Sequence, residues 1–551
     1  MAGTLPDPAA AEFLQSGAAP GLSPGSMQPI VHLPTAVTAF VGRALKGPVH
    51  TPVAIANFAE FQRAFGGLWQ PATLGYALEQ YFENGGREAI VVRVVNGARA
   101  PTVHLPAGTG ELVLLGQQPG TREYLRAAVD YDGVDRDDKE HFNLVLQRLR
   151  APGTEWIEDQ QILRAVSISP ASERAVDRLL ARSALARVVG PLPSVRPEPT
   201  LGRRSGGALG YIESCANGAD GTDLTDYDLI GDAAAGTGLF ALRSASRFAL
   251  LCIPPLGRQV DVGVATLLVA ARLCRAQQAL LVVDPPHSWD SAGAALQGAA
   301  DWVFQSDNAV LYFPRLLVAD RLRGRAELFA PCGAAAGQIA RADELSPPWV
   351  AAAGEAPLLR GAFRLALRLD ELQRVQLRHV GVNCLDSIRP GAEAVRSPRT
   401  LLPLNAARGE WCYLPARRLT LWLQACVLEG TRWLCFSGAN PLHWQRAQVQ
   451  VEAFLESLSA SGAFAGRDSN ERYFVICDAR VNTPEWVALG RCELLFGFAP
   501  WRAGEFQSCL VTHERAGSSV RTVTINRLAT SGAKVAEEIE TAILRQLVAE
   551  S

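Results

Sequence analysis

Lysine is nearly absent from this chain of 551 residues: of its 53 basic side chains only Lys46, Lys139 and Lys534 are lysines. Almost every cation is therefore an arginine, able to form planar, bidentate pairs with carboxylates. Genome composition and a role at interfaces explain that bias equally. The 11 cysteines form no CxxC pair and no Cys/His cluster at metal-ligand spacing. Several sit inside apolar runs, such as Cys252 in FALLCIPP and Cys435 in WLCFSG, and read as reduced core residues. No apolar run approaches the roughly 18 to 20 residues that cross a bilayer. The first segment, MAGTLPDPAAAEFLQ, lacks a basic n-region and an apolar h-region. With the odd cysteine count, this predicts folding in a cytoplasm without direct membrane insertion. Phosphate-loop, HExxH and aromatic-basic RNA motifs are also missing, and the net charge of −2 points to no direct nucleic-acid partner. No cofactor and no metal are expected.

What is present is ample core, with 48% apolar and 20% charged residues. The length exceeds what one core organises, so two to four domains are expected. Residues 1–33, rich in Ala, Gly, Pro and Ser, read as an extended N-terminal arm. Residues 34–100 follow as compact α/β structure. TAVTAFV is a strand, Asn57 caps a helix carrying Phe58, Phe61 and Phe65 that stops at Gly66-Gly67, LGYALEQYFENGG is a second helix, and REAIVVRVVN is a buried strand. Residues 101–205 alternate like a β-rich insertion, with TVHLPA, ELVLLG, REYLRAAVDYDG and HFNLVLQRL as strands. Its acidic stretch from Asp130 to Asp138 has the wrong spacing for an EF-hand and reads as a solvated hairpin turn.

From 206 to 403, apolar strands alternate with helices, the pattern of a doubly wound, mostly parallel sheet covered on both faces. From 404 to 513 the order turns to strand, helix, strand, through WCYLPARRLTLWLQACVLEG, RWLCFSG, PLHWQRAQVQVEAFLESLSASG, RYFVICD, RCELLFGFAP and EFQSCLVTHE. That is an α+β domain of one sheet with helices on one face. Residues 514–551 form a C-terminal arm with a strand-like run from Val520 to Ile525 and a helix whose Val535, Ile539, Ile543 and Leu547 recur every four residues. Both need a partner surface.

Candidate chemistry is weak throughout. GLSPG (21–25) satisfies GxSxG without the strand and helix that a nucleophile elbow needs. GTGLFA (236–241) lacks a strand before it and an acidic ribose partner, and reads as a turn into a helix. Asp284 and His287 close a buried strand with no activated nucleophile in view, so loop capping is the default.

The segment PTAVTAFVGRALKGPVHTPVAIANFAEFQRAFGGLWQPATLGYALEQYFENGGREAIVVRVV resembles the amino-terminal block of contractile tail sheath proteins. Its markers are the TAFVGR strand with KGP, the FxxFxxxFGG helix end, and YFENGGREAIVVRV. ADGTDLTDYDLIG, GLFALRSASRFALLCIPP, AVLYFPRLLVAD, APCGAAAGQIARAD and VGVNCLDSIRPG continue the likeness through the central domain. YLPARRLTLWLQACVLEGTRWLCFSGANPLHW and VICDARVNTP carry it into the carboxy-terminal one, so that it spans residues 33–512. Two departures stand out: a Pro/Gly-rich arm replaces the family's P-G-V-Y opening, and the chain runs on past the usual last strand.

The resemblance implies a subtilisin-like central domain and a structural, non-enzymatic protein. Such a subunit polymerises helically around an inner tail tube protein, contacts baseplate and tail terminator proteins, and contracts to drive the tube through a target envelope. Assembly in a bacterial cytoplasm and a place in a virion tail or released tail-like particle follow. Residues 1–33 and about 514–530 then become tethering arms that exchange strands between copies, with 404–512 facing the tube. Val520, Val523, Ile525, Arg87, Arg93, Arg417 and Arg418 are the candidate interface residues. The rival readings are an α/β hydrolase and another shell or baseplate component of the same particle.

Overall fold

A computed structural model describes residues 28–135, 137–200, 210–214, 218–350, 358–361, 363–389, 392–395, 398–403, 409–437 and 440–523. Expectations for GLSPG, Ile525 and the helix at 535–547 lie outside the described residues. The described chain falls into two compact units, 34–422 and 28–33 with 423–523.

The first unit opens with β1 (Thr38–Gly42), β2 (Val53–Ile55), α1 (Phe58–Phe65), α2 (Leu74–Glu83) and β3 (Ala89–Arg93). An insertion follows: β4 (Thr102–Ala107), β5 (Gly110–Gly116), β6 (Tyr124–Asp130), β7 (His141–Leu149), β8 (Ile157–Ser167), α3 (Val176–Leu180), β9 (Ala186–Val189) and β10 (Ile212–Glu213). Next come α4 (Asp226–Ile230), β11 (Leu250–Cys252), α5 (Val264–Ala276), β12 (Leu280–Val283), α6 (Ala292–Asp301), β13 (Ala309–Phe313), β14 (Leu316–Asp320) and β15 (Arg325–Phe329). The unit continues through α7 (Cys332–Leu345), β16 (Phe363–Leu365), α8 (Glu371–His379), β17 (Val382–Arg389) and β18 (Ala392–Val395) to the start of α9 (Leu414–Gly430).

Its main sheet runs β18-β17-β13-β12-β11-β1-β3-β2, parallel from β17 to β3 with an antiparallel strand at each edge. Strand alternation divides the core in two. Ala39, Val41, Ile90, Val92, Leu251, Leu281 and Leu311 face one way and pack on α5, α6 and α8 through Leu267, Ala270, Ala295 and Leu377. Phe40, Val91, Cys252, Val282 and Tyr312 face the other way, against Phe61 and Phe65 of α1, Leu78 and Tyr81 of α2, and Ala335 and Ile339 of α7. The expected caps hold, since Asn57 Oδ1 accepts the Glu60 N–H at 2.9 Å and Gly66 ends α1 at φ 89°. Two glycines let α7 press on α2: a Cβ at Gly333 would meet Ala77 O at 2.0 Å, and one at Gly337 would meet Tyr81 O at 2.3 Å.

The insertion folds as two antiparallel sheets, β4-β5-β9 and β10-β6-β7-β8, around Val103, Leu105, Leu114, Leu125, Phe142, Leu144 and Leu180. In its acidic turn the carboxylates accept backbone N–H groups, Asp130 from Asp132 and Asp135 from Asp137.

The second unit holds the rest of α9, then α10 (Leu434–Ser437), α11 (Pro441–Ala460), α12 (Ser469–Arg472), β19 (Tyr473–Ile476), α13 (Pro484–Ala488), β20 (Cys492–Phe498), β21 (Gln507–Glu514) and β22 (Gly517–Val523). Helices open this region where the strand-first order was expected. Leu414, Ala416, Leu419, Leu421, Leu423, Ala425, Cys426 and Val427 of α9 are all buried, and so are its polar Arg417, Thr420 and Gln424, so the helix is enclosed nearly all round and lacks the solvent face of a surface helix.

Candidate functional site

The four strands of the second unit form one antiparallel sheet, β19-β20-β21-β22. Residues 517–523, expected within an arm given to a neighbour, instead pair with the chain's own β21 from Glu514↔Gly517 to Ser508↔Val523. Only Arg515 and Ala516 separate the two strands, and so short a turn returns the chain directly onto β21. Val520 sits opposite Val511, and Val523 is buried with Leu495 and Leu510. Among the described residues the outer side of β22 pairs with no strand, which leaves an edge able to accept one.

A directed chain of hydrogen bonds ties this hairpin to the helices. Thr431 Oγ1 donates to Val427 O at 2.6 Å, so it accepts from His513 Nε2–H at 2.9 Å. His513 Nδ1 is then the acceptor for Ser518 Oγ, at 2.8 Å, and Ser518 Oγ lies 3.1 Å from Cys435 Sγ. Burial pushes the His513 pKa down to about 4, too low for this imidazole to activate the thiol as a base near neutrality. The neutral ring is thus a structural tie. Because the folded value lies below that of a free histidine, its stabilisation is complete above pH 6.5 and is lost as pH falls toward 4. Urea unfolding should show about 3 kcal/mol less stability from this group at pH 4 than at pH 7.5, and His513→Gln should flatten that slope. An unchanged slope in the variant would remove His513 from the linkage.

Residues 28–33 are strapped to the same unit. Gln450 Nε2 donates to Gln28 O at 2.8 Å and to Gly430 O at 3.2 Å, and His32 meets Phe454 edge-on at 5.6 Å. Ile30 is buried against Gly430, where a Cβ would come within 2.7 Å of it. The last part of the expected N-terminal arm is therefore held by its own chain.

In doubly wound sheets ligands bind at the carboxyl ends of the strands, where strand order reverses. Here β1 and β11 are that reversal, and arginines fill the end. After β1, Arg43 donates to Asp223 Oδ1 at 2.8 Å and to Gly221 O at 2.9 Å, with Trp69 beneath its guanidinium. Past β11, Arg258 lies over Tyr76 and Phe329 and pairs with Asp320 at 2.9 Å. Beyond β13, Arg315 reaches Asp261 at 2.6 Å and Pro285 O at 2.7 Å. Asp284 Oδ1 accepts the Cys332 N–H at 2.8 Å at the start of α7, and burial pushes its pKa up to about 6. Among the described residues no hydrogen bond joins Asp284 to the His287 ring. The space beside them, lined by Ile253, Asp261, Leu281 and Pro286, is about 20 Å³, room for about one water.

The four candidate arginines all find partners within the chain. Arg93, 1% exposed, closes the end of β3 by donating to Ala44 O at 3.0 Å, Gly47 O at 2.7 Å and Pro119 O at 2.9 Å, and burial lowers its pKa to about 10. Arg417 is buried beside Asn308, at 3.2 Å, with Trp411 under its guanidinium. Arg418 pairs with Asp343, which outweighs the burial that opposes its charge and holds its pKa above the usual arginine value. Only Arg87 is exposed; it pairs with Glu344, the residue after Asp343 on α7. Sequence reasoning missed Arg43, Arg258 and Arg315, whose one signal was their position just beyond apolar strands.

No family description matches the sequence, and no curated protein matches it. Solved structures do. The sheath tail protein Lin1278 from Listeria innocua superposes with a TM-score of 0.57 at 12% identity, over 87% of this chain and 95% of that one. The PVC sheath of an extracellular contractile injection system, in its contracted state, gives 0.51 at 14% identity over 89% and 96%. The contracted helical sheath of the anti-feeding prophage gives 0.50 at 16% over 89% and 98%. The fold is that of a tail sheath protein. Its α/β sheet, β-rich insertion and α+β unit together span nearly the full length of each sheath chain. In this sheath fold, the end of the parallel sheet where an enzyme would hold a ligand carries arginine-carboxylate and arginine-carbonyl pairs instead.

Proposed function

We propose that this chain is a structural sheath subunit that polymerises helically around an inner tail tube and contracts to drive the tube through a target envelope. The near full-length correspondence with sheath structures carries this reading, at 95% of the Listeria chain. The filled carboxyl end of the parallel sheet supports a role without catalysis, and the layered central sheet suits a subtilisin-like comparison. Copies join head to tail, and an unclosed interface of that kind generates a helix. The open side of β22, with Val520, Val523 and, beyond the described residues, Ile525, accepts a strand from a neighbour by β-augmentation. Of the four candidate arginines, Arg87 is the one whose side chain is exposed enough for contacts between bodies. Residues 404–513 face the tube, and baseplate and terminator proteins close the two ends. Contraction exchanges one packing of bodies for another, without nucleotide hydrolysis. The particle assembles in a bacterial cytoplasm. Negative-stain images of the overexpressed protein should show striated hollow tubes; only closed rings, or monomers at every concentration, would defeat the proposal.

A further inference from the structure

Two cysteines of the second unit stand side by side. Cys477 follows β19 and Cys492 opens β20. Val475 lies opposite Phe496 and Ile476 opposite Leu495, so side-chain alternation puts Cys477 on the face of β20 that carries Leu494 and Cys492. Asn482 draws the following chain across the start of β20: its Nδ2 donates to Glu493 O at 2.9 Å, and its Oδ1 accepts the Glu493 N–H at 2.7 Å. The Cys477 thiol donates to the same carbonyl, Glu493 O, at 3.5 Å, and a hydrogen bond joins it to the thiol of Cys492. Both side chains are buried, and neither is in a disulfide.

The two thiols close the neck of the loop 478–491, which contains α13. Much of that loop is in water: Glu485, Ala488 and Gly490 are exposed, and Leu489 is 74% exposed. Segments with so few buried apolar contacts open locally while the core stays closed. The hydrogen bond from Cys492, together with burial, holds the Cys477 pKa above the ordinary thiol value. Thiolate is therefore scarce while the neck is shut, and thiol chemistry at this pair waits for the loop to open.

We propose that Cys477 and Cys492 form a disulfide across the neck of the 478–491 loop when the protein meets an oxidising medium. The oxidant is a small disulfide such as oxidised glutathione. One cysteine loses its proton and attacks a glutathione sulfur, expelling the first glutathione thiolate and leaving a mixed disulfide. The other cysteine loses its proton and displaces the second glutathione, which forms the Sγ–Sγ bond. The two cysteines give up two electrons and two protons, and the oxidant leaves as two thiols. The crosslink pins both ends of the loop and restrains its opening. In a reducing cytoplasm the pair stays as thiols.

Peptide mapping of the full-length chain tests this. Arginines 472, 480, 491 and 502 place trypsin cuts on both sides of each cysteine. After incubation with oxidised glutathione and alkylation of the remaining thiols, trypsin should release 473–480 and 492–502 as one peptide. It should be lighter by two hydrogens than the sum of its parts and should split on reduction. Hydrogen exchange across 478–491 should slow about tenfold on oxidation, and it should not change in Cys477→Ala. Recovery of both peptides in alkylated form would overturn the proposal. So would Cys492 joined instead to Cys435, the half-buried thiol 3.6 Å from His513 Nδ1, or equal slowing in Cys477→Ala. The mapping uses the unaltered sequence and stands whether or not the variant folds. Neither readout involves tubes, so the sheath reading and this proposal fail separately.

Discussion

A chain lacking residues 1–27 should unfold at the same midpoint as the full chain and assemble no tubes. The cut is placed by structure. From Gln28 onward the strap is held by Gln450, and Ile30 is buried against Gly430, so residues 28–33 belong to the folded unit. Under the proposed function the preceding residues tether one subunit to the next. Each main-chain hydrogen bond contributes only about 0.5–1.5 kcal/mol, but a strand repeats them at every subunit contact, and losing all of them removes the lattice. Thermal unfolding with sedimentation checks the monomer, and negative-stain microscopy checks the assembly. Normal tubes from the shortened chain would take the N-terminal segment out of the tethering role.

Arg418→Ala should cost about 3–5 kcal/mol of stability, the range for breaking a buried ion pair by removing one partner. Its partner Asp343 has only 5% of its side chain exposed and would be left charged with its guanidinium gone. Arg87→Ala is the matched control, since its carboxylate, Glu344, lies one residue further along α7 while the Arg87 side chain is 78% exposed. That change should stay within about 1 kcal/mol. Urea denaturation of the two variants decides the matter, and equal losses would mean that the burial difference has no energetic weight. Replacing both Arg418 and Asp343 by leucine should recover most of the loss, because two apolar groups need no compensation.

Much of the fold is legible in the sequence because short-range signals there agree with burial. TAFVG and AIVVR read as buried strands and are β1 and β3, and Asn57 and Gly66 bracket α1 as their chemistry predicts. Legibility failed where one signal served two structures. α9 is buried nearly all round, its polar Arg417, Thr420 and Gln424 included, so no solvent face reveals its period, and the run from Gly517 to Val523 looks like a free arm until the two-residue turn before it is counted. Arg93 shows the same ambiguity at a single site. A charge inside REAIVVRVV suggests a partner, but sequence cannot tell a neighbour's carboxylate from the chain's own carbonyls at Ala44 and Gly47. The tie among His513, Ser518, Thr431 and Cys435 left no trace, because its members are scattered along the chain and meet only through tertiary packing.

The order of strands in the main sheet sets a timetable for synthesis. β1 sits between β3 and β11, and Thr38 pairs with Leu250, so the centre of the sheet stays open until the whole insertion has been made. At about 5–20 residues per second, β1 waits roughly 10–40 s for its second neighbour. The insertion, with a core of its own, can settle during that interval, while one side of β1 remains a bare edge on the nascent chain. A ribosome-bound chaperone covering that edge should therefore matter most while residues 94–250 are being translated.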